Sequence, residues 1–358
     1  VALMAPVIGA FILAYRSNWK WGVVLSSLFM CFEIASNHLQ VTYYLAILLI
    51  GLGIYELIRA IKAKELKRFL IISGSLFGAY LLALFINYGN INMTNEYAKQ
   101  TIRGGNDITI NPDGTEAKQN SGGLDKDYIT TWSYGIGESF TLLSPYVKGS
   151  ASVGINDSRF KEVIEDSERT PAQIKEILTA PYPIYWGEQP IVSGPTYVGI
   201  VMVFVMILGL VYLDDKRKWV LFGVGILALF LSWGKNFMGL TEFFIDYIPG
   251  YNKFRTVTII MVLIELIVPL IGVLFLEQLF KNREVLKAKK KFFLIASGAF
   301  VVFLLGVKVI GLGDNYTSSK DLTKVENVGN DVMNYIKQLP PDQLAQNGID
   351  LNNGEQLQ

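Results

Sequence analysis

Apolar residues in this chain gather in blocks instead of alternating with polar ones. Eight runs, at 1–15, 22–36, 41–58, 69–87, 196–213, 219–233, 257–280 and 293–311, are built mainly from Leu, Ile, Val, Phe, Ala and Gly. Blocks of about 18 residues or more with few charges predict membrane-spanning helices. Three runs (1–15, 22–36 and 219–233) are shorter, about 15 residues, or roughly 22 Å of helix against about 30 Å of hydrocarbon. The expected fold is an all-α polytopic membrane protein of about eight segments, with an extracytoplasmic α+β domain inserted between spans.

The polar stretches set the organisation. Residues 1–87 hold four segments and the turn Asn37-His38-Leu39-Gln40. Residues 88–195 form a polar excursion of about 108 residues, the size of a small domain. Residues 196–311 hold four more segments, and 312–358 are polar again. Within the excursion, Asn111-Pro112-Asp113-Gly114 predicts a tight turn. Short helices are expected over 158–166 and 170–179, the second with Thr170 as N-cap and Pro171 in the first helical position.

Composition narrows the class. The chain is 51% hydrophobic with mean hydropathy +0.35, beyond most soluble domains. A net charge of +1 gives no nucleic-acid signature. A single cysteine, Cys31, excludes an intrachain disulfide, and His38 is the only histidine. Zinc-hydrolase and phosphate-loop motifs are absent, so no metal site is expected. The chain opens at Val1 inside an apolar run without a basic leader, which reads as an internal piece of a longer protein.

Charge then orients the spans. The turns at 16–21, 59–68, 214–218 and 281–291 hold sixteen Lys/Arg in 32 residues, whereas 88–195, 232–256 and 312–358 hold fifteen in a far longer stretch. By the positive-inside rule the four short turns are cytoplasmic. The Asn37–Gln40 turn, the excursion, the 232–256 stretch and the tail then lie outside. Because two short runs end on that side, Asn37–Gln40 and 234–236 are expected to floor an outward-facing depression roofed by the external domain.

Candidate chemistry follows from that geometry. The stretch 232–255, SWGKNFMGLTEFFIDYIPGYNKFR, sets Lys235, Lys253 and Arg255 among seven aromatic residues. Lys253 and Arg255, at the start of a span, suit an anionic phosphate; alternatively they snorkel to lipid headgroups. Asn37, His38 and Gln40 can hydrogen-bond hydroxyls, or serve only the turn. Glu33 lies about one turn below and is expected to face the depression. Glu265, near mid-depth and one turn before Pro269, is either a functional acid or a packing group. Trp132 with Glu138, and Trp186 with Glu188, pair aromatic faces with carboxylates, which suits a sugar or an amphipathic cap on the membrane.

At these residues the chain resembles the YfhO-type family of bacterial membrane proteins, in particular its Bacteroidetes-like members. The resemblance rests on NHLQVTYY (37–44), TWSYGIGE (131–138) followed by LSPY (143–146), YWGEQP (185–190) with SGP (193–195), and LSWGKN (231–236) through YNKFRT (251–256). It implies a fold like the C-type glycosyltransferases, in the bacterial cytoplasmic membrane. It also implies transfer of a sugar from a polyprenyl-phosphate donor, with no other cofactor, to an envelope glycan or glycopolymer acceptor on the outer side. Membrane lipid and the lipid-linked sugar would be its partners. In such enzymes the catalytic acid sits on the first external loop, which would precede Val1, so no residue here carries that role. Two other readings stay open: a transporter or flippase of a lipid-linked or amphipathic substrate, centred on Glu265 and Pro269, and a non-catalytic envelope scaffold docking through 88–195.

Overall fold

The computed structural model describes residues 1–101, 124–154, 160–179, 183–282, 284 and 290–309. The turn expected at 111–114 and the segment 312–358 lie outside them. The described residues are mostly helical, with one two-stranded sheet. The first half carries α1 (Met4–Arg16), α2 (Trp19–Ala35), α3 (Leu39–Lys62) and α4 (Leu66–Ile86). Helix α5 (Tyr88–Lys99) continues from the end of α4. The polar excursion holds α6 (Lys126–Thr130), a 3-10 turn (Gly137–Leu142), β1 (Gly149–Gly154), α7 (Phe160–Glu165), α8 (Pro171–Thr179) and β2 (Pro183–Tyr185). The second half carries α9 (Ile200–Tyr212), α10 (Arg217–Ser232), α11 (Met238–Tyr247), α12 (Val262–Lys281) and α13 (Lys290–Val309).

Among the described residues four helices are long and apolar enough to cross a membrane: α3, α4, α12 with its leading 3-10 turn, and α13. A fifth candidate is the pair formed by α10 and the helical segment after it, bent by 113°. Helices α1 and α9 are shorter apolar helices of 13 residues, and α2 has 17. Helix α9 starts only at Ile200, later than its apolar run predicts, because Gly199 before it takes φ 102, outside helical geometry. Helix α12 runs through Pro269 as one helix.

Helix pairing follows small residues and interhelical hydroxyls. Helix α1 packs on α2, α2 on α4, α9 on α12, and α10 on both α3 and α12, so one apolar core joins the two halves. A Cβ on Gly209 would sit 3.0 Å from the Ile271 carbonyl oxygen, and one on Gly272 would sit 2.9 Å from the Met202 sulfur. Glycine is therefore what lets α9 and α12 approach. Tyr15 and Ser73 share a 2.7 Å hydrogen bond between α1 and α4, and Ser26 and Tyr80 share one of 2.8 Å between α2 and α4. At the end where α1 and α3 stop and α10 starts, Glu56 is 3% exposed and pairs with Arg16 at 2.9 Å and Arg59 at 2.7 Å. Asp215 and Arg217 pair beside them. Glu56 is thus a buried tie between α1 and α3.

The expected short helices form. Thr170 caps α8 reciprocally: its Oγ1 accepts from Gln173 N at 3.4 Å, and Gln173 Oε1 accepts from Thr170 N at 3.0 Å. Strands β1 and β2 pair antiparallel.

The stretch from Gly234 to Asn236 does not floor an open depression. It is zipped onto the excursion. Tyr134 N donates to Ser232 O at 2.8 Å, Lys235 N to Ser133 Oγ at 2.9 Å, and Asn236 Nδ2 to Tyr134 O at 2.9 Å. Gly234 takes φ 49, and an added Cβ would lie 2.1 Å from Ser133 Oγ. Gly234→Ala is therefore expected to destabilise the protein by about 3 kcal/mol in equilibrium unfolding. Gly239→Ala, with nothing within 4 Å of the new Cβ, should stay within about 0.5 kcal/mol. Equal effects of the two would refute the zipper as a stability determinant.

Candidate functional site

A cavity of about 1190 Å³ opens between the start of α3, one face of α5 and the 249–256 loop. The loop exists because α11 ends at Tyr247, and Pro249 and Gly250, the latter at φ 82, turn the chain back toward α12. Asn37, at φ 56, makes the sharp turn into α3, whose N-cap His38 provides no side-chain cap. The first turn of α3 therefore brings its positive dipole end to the cavity wall. Asn37, His38, Gln40, Lys253 and Arg255 all line this one space.

The wall opposite is α5, where Tyr88, Ile91, Asn92, Asn95 and Lys99 recur at helical spacing on one face. Three lining residues are cationic, Lys99, Lys253 and Arg255, and among the described lining residues none is Asp or Glu. Lys99 pairs with Glu96 of its own helix at 2.8 Å, both exposed, an interaction worth little. Arg255 donates from Nη1 to Tyr128 Oη at 2.6 Å, and its guanidinium carbon lies 5.9 Å from the centre of that ring. Such a cavity can hold an anionic group by charge-assisted hydrogen bonds, with amides beside it for hydroxyls.

Gln40 is positioned differently from the sequence expectation. It borders the cavity, yet its amide nitrogen is spent on protein acceptors: Arg255 O at 2.8 Å, Tyr44 Oη at 2.9 Å and, more weakly, Thr256 O at 3.4 Å. Glu33 does not face the cavity at all. It is 1% exposed in α2, with the Val1 amino nitrogen 3.8 Å from its carboxylate, because the helix turns that side chain toward α1. Glu265 also lies outside the cavity lining. Glu265 stands in the first turn of α12, after the 3-10 turn that begins at Val257, with its side chain exposed.

The two aromatic–carboxylate blocks come together, away from the cavity. Glu138 is 2% exposed and acts as an internal acceptor. It receives Gly135 N at 2.6 Å, Glu188 N at 3.2 Å, Gln189 Nε2 at 3.4 Å and the Tyr185 hydroxyl. Burial, then the nearby Glu138 charge, push the Tyr185 phenol well above its ordinary value. A carboxylate so occupied ties block 131–138 to block 185–190 and does not project toward a sugar. Trp132 donates from Nε1 to Ile191 O at 3.1 Å, and Trp186 lies against Gly149, where an added Cβ would meet its ring at 2.9 Å. Both rings are half-buried and brace the same fold. Glu188 contributes its backbone N–H to Glu138, and its half-buried side chain is outside the cavity.

Sequence reasoning missed α5 and Tyr128. The α5 stripe was readable as 88, 91, 92, 95 and 99, but it sits at the head of a long polar segment and reads as part of it. Nothing in the sequence marks Tyr128 as the partner of Arg255. Comparison with protein-family models, curated proteins and solved structures returned no match to this chain.

Tyr134 is 3% exposed and donates to Thr141, whose own proton goes to Thr196 O at 2.9 Å. Burial, with the Glu138 and Glu265 charges, pushes its phenol up to about 12 from 10.0. The folded chain thus keeps this proton at pH values where the unfolded chain loses it. Its contribution is complete below pH 10.0 and is lost as pH rises through about 12. Tyr134→Phe should flatten the alkaline fall in unfolding free energy by on the order of 2 kcal/mol over that window. Identical alkaline slopes in the two proteins would refute this.

Proposed function

We propose that the chain is the membrane core of a YfhO-type, C-type-like glycosyltransferase. In this reading it moves a sugar from a polyprenyl-phosphate donor to an envelope glycan or glycopolymer on the outer side of the bacterial cytoplasmic membrane. Eight segments meet the bilayer, and 88–195, 232–256 and the tail lie outside. One observation carries the reading: Lys253 and Arg255 share a cavity with Asn37, His38 and the N-terminal turn of α3, without a carboxylate among the described lining residues. Cations and free helix N–H groups favour a phosphate there, and Asn92 and Asn95 offer hydrogen bonds to hydroxyls. The carboxylate that deprotonates the acceptor would come from outside this lining.

The transporter reading needs Glu265 in the substrate path, and Glu265 lies apart from the cavity, so transfer at the outer rim is the better fit. Native mass spectrometry of the full-length protein, gently extracted, should find a co-purified polyprenyl-phosphate species whose occupancy falls at least about tenfold in Arg255→Ala. Finding only bulk phospholipid, unchanged by the substitution, would overturn the reading and leave Arg255 an interfacial anchor.

A further inference from the structure

From its place in the turn, Gln40 looks like a group that meets a ligand. Its geometry gives it another task. The residue is 8% exposed. An amide NH2 has two protons, and the two short contacts, to Arg255 O at 2.8 Å and Tyr44 Oη at 2.9 Å, account for both. The residue it grips lies 215 positions further along the chain. That grip falls where the backbone is least comfortable. Thr256 takes φ 61 and ψ 70, a left-handed conformation that a β-branched side chain disfavours. The same peptide unit is held from its other side, where Thr256 N donates to Ile129 O at 3.2 Å.

Arg255 itself is exposed at the cavity, on a long side chain with many rotamers. The point from which its guanidinium reaches is set by the backbone that Gln40 holds. Binding then costs less ordering than it would from a loose loop.

We infer that Gln40 is a positioning residue for Arg255: its amide fixes the Arg255–Thr256 peptide in the left-handed turn and so aims the guanidinium at an anionic group in the cavity. The inference rests on the reading of the cavity as an anion site. It does not depend on sugar transfer, since any amphiphile with a phosphate head would be held the same way.

The test is a titration of the full chain, in neutral detergent, with decyl phosphate. Arg255→Ala should weaken binding by about tenfold or more, and Gln40→Met, which keeps the volume and removes the donor, by about tenfold. Combined with Arg255→Ala, Gln40→Met should add less than about twofold, because nothing remains to be aimed. If Gln40→Met weakens binding by the same factor with and without Arg255, Gln40 acts on the ligand or on the fold at large, and the inference fails. If Arg255→Ala binds decyl phosphate as the parent does, the anion-site reading itself fails and takes the inference with it. Should Gln40→Met not fold, Gln40→Asn serves instead. It keeps the amide one methylene short of its acceptors, and it too should weaken binding only when Arg255 is present.

Discussion

The peptide bond between Arg255 and Thr256 has one carbonyl and one N–H, and two distant parts of the chain satisfy them. Gln40, at the head of a helix long enough to span a membrane, takes the carbonyl, and Ile129, in the polar excursion, takes the N–H. Irregular backbone between two apolar helices must find such partners, because an unpaired polar group shielded from water is costly. The stretch from Ser232 to Thr256 solves this at its two ends by pairing with 124–134, while α11 between them satisfies its own backbone. Leu124 N donates to Asn252 O at 3.0 Å at one end of that contact, and Tyr134 N donates to Ser232 O at the other. The excursion is therefore no separate appendage where it meets this loop. It supplies the hydrogen bonds that allow the loop to exist.

Charged side chains are held in two ways in this bundle, although ion pairs occur at both ends, Lys126 pairing with Glu242 and Asp246 near Tyr128. At one end, carboxylates meet guanidiniums at close range: Glu56 with Arg16 and Arg59, and Asp215 with Arg217. Those charges are largely compensated and hold helices together. At the other end, Arg255 rests on a tyrosine, a neutral partner that orients the guanidinium while leaving its charge intact. Compensated charge serves architecture, and uncompensated charge beside a cavity is available to a ligand.

Much of this was legible in the sequence. Blocks of apolar residues marked the helices, and Thr170-Pro171 marked the start of α8. Charge alternation set Asn37 and His38 on the same side as Lys253 and Arg255, far apart in the chain, and the fold brings all four to one cavity. What was not legible depended on side-chain direction. Glu33 and Glu138 are carboxylates near the right places, but the helix phase of one and the tight Gly135–Glu138 turn of the other point them inward. Helix α9 falls short of its apolar run because Gly199 stands outside helical geometry, and apolar composition alone does not reveal that.

Helix α5 has one property that sets it apart from the rest of the cavity wall. None of its residues is buried, and the side-chain hydrogen bonds of Thr94 and Lys99 stay within the helix, whereas its end is pinned by Asn87, which donates to Cys31 O at 3.1 Å and Ala83 O at 2.9 Å. Its inner face can therefore change without opening a hole in the core or orphaning a buried donor. Natural variation could rewrite Asn92 and Asn95 at little thermodynamic expense, while Gln40 and Gly234 could not drift in the same way. The fold thus separates an anchor fixed by buried hydrogen bonds and close packing from a cavity wall whose side chains carry little of the stability.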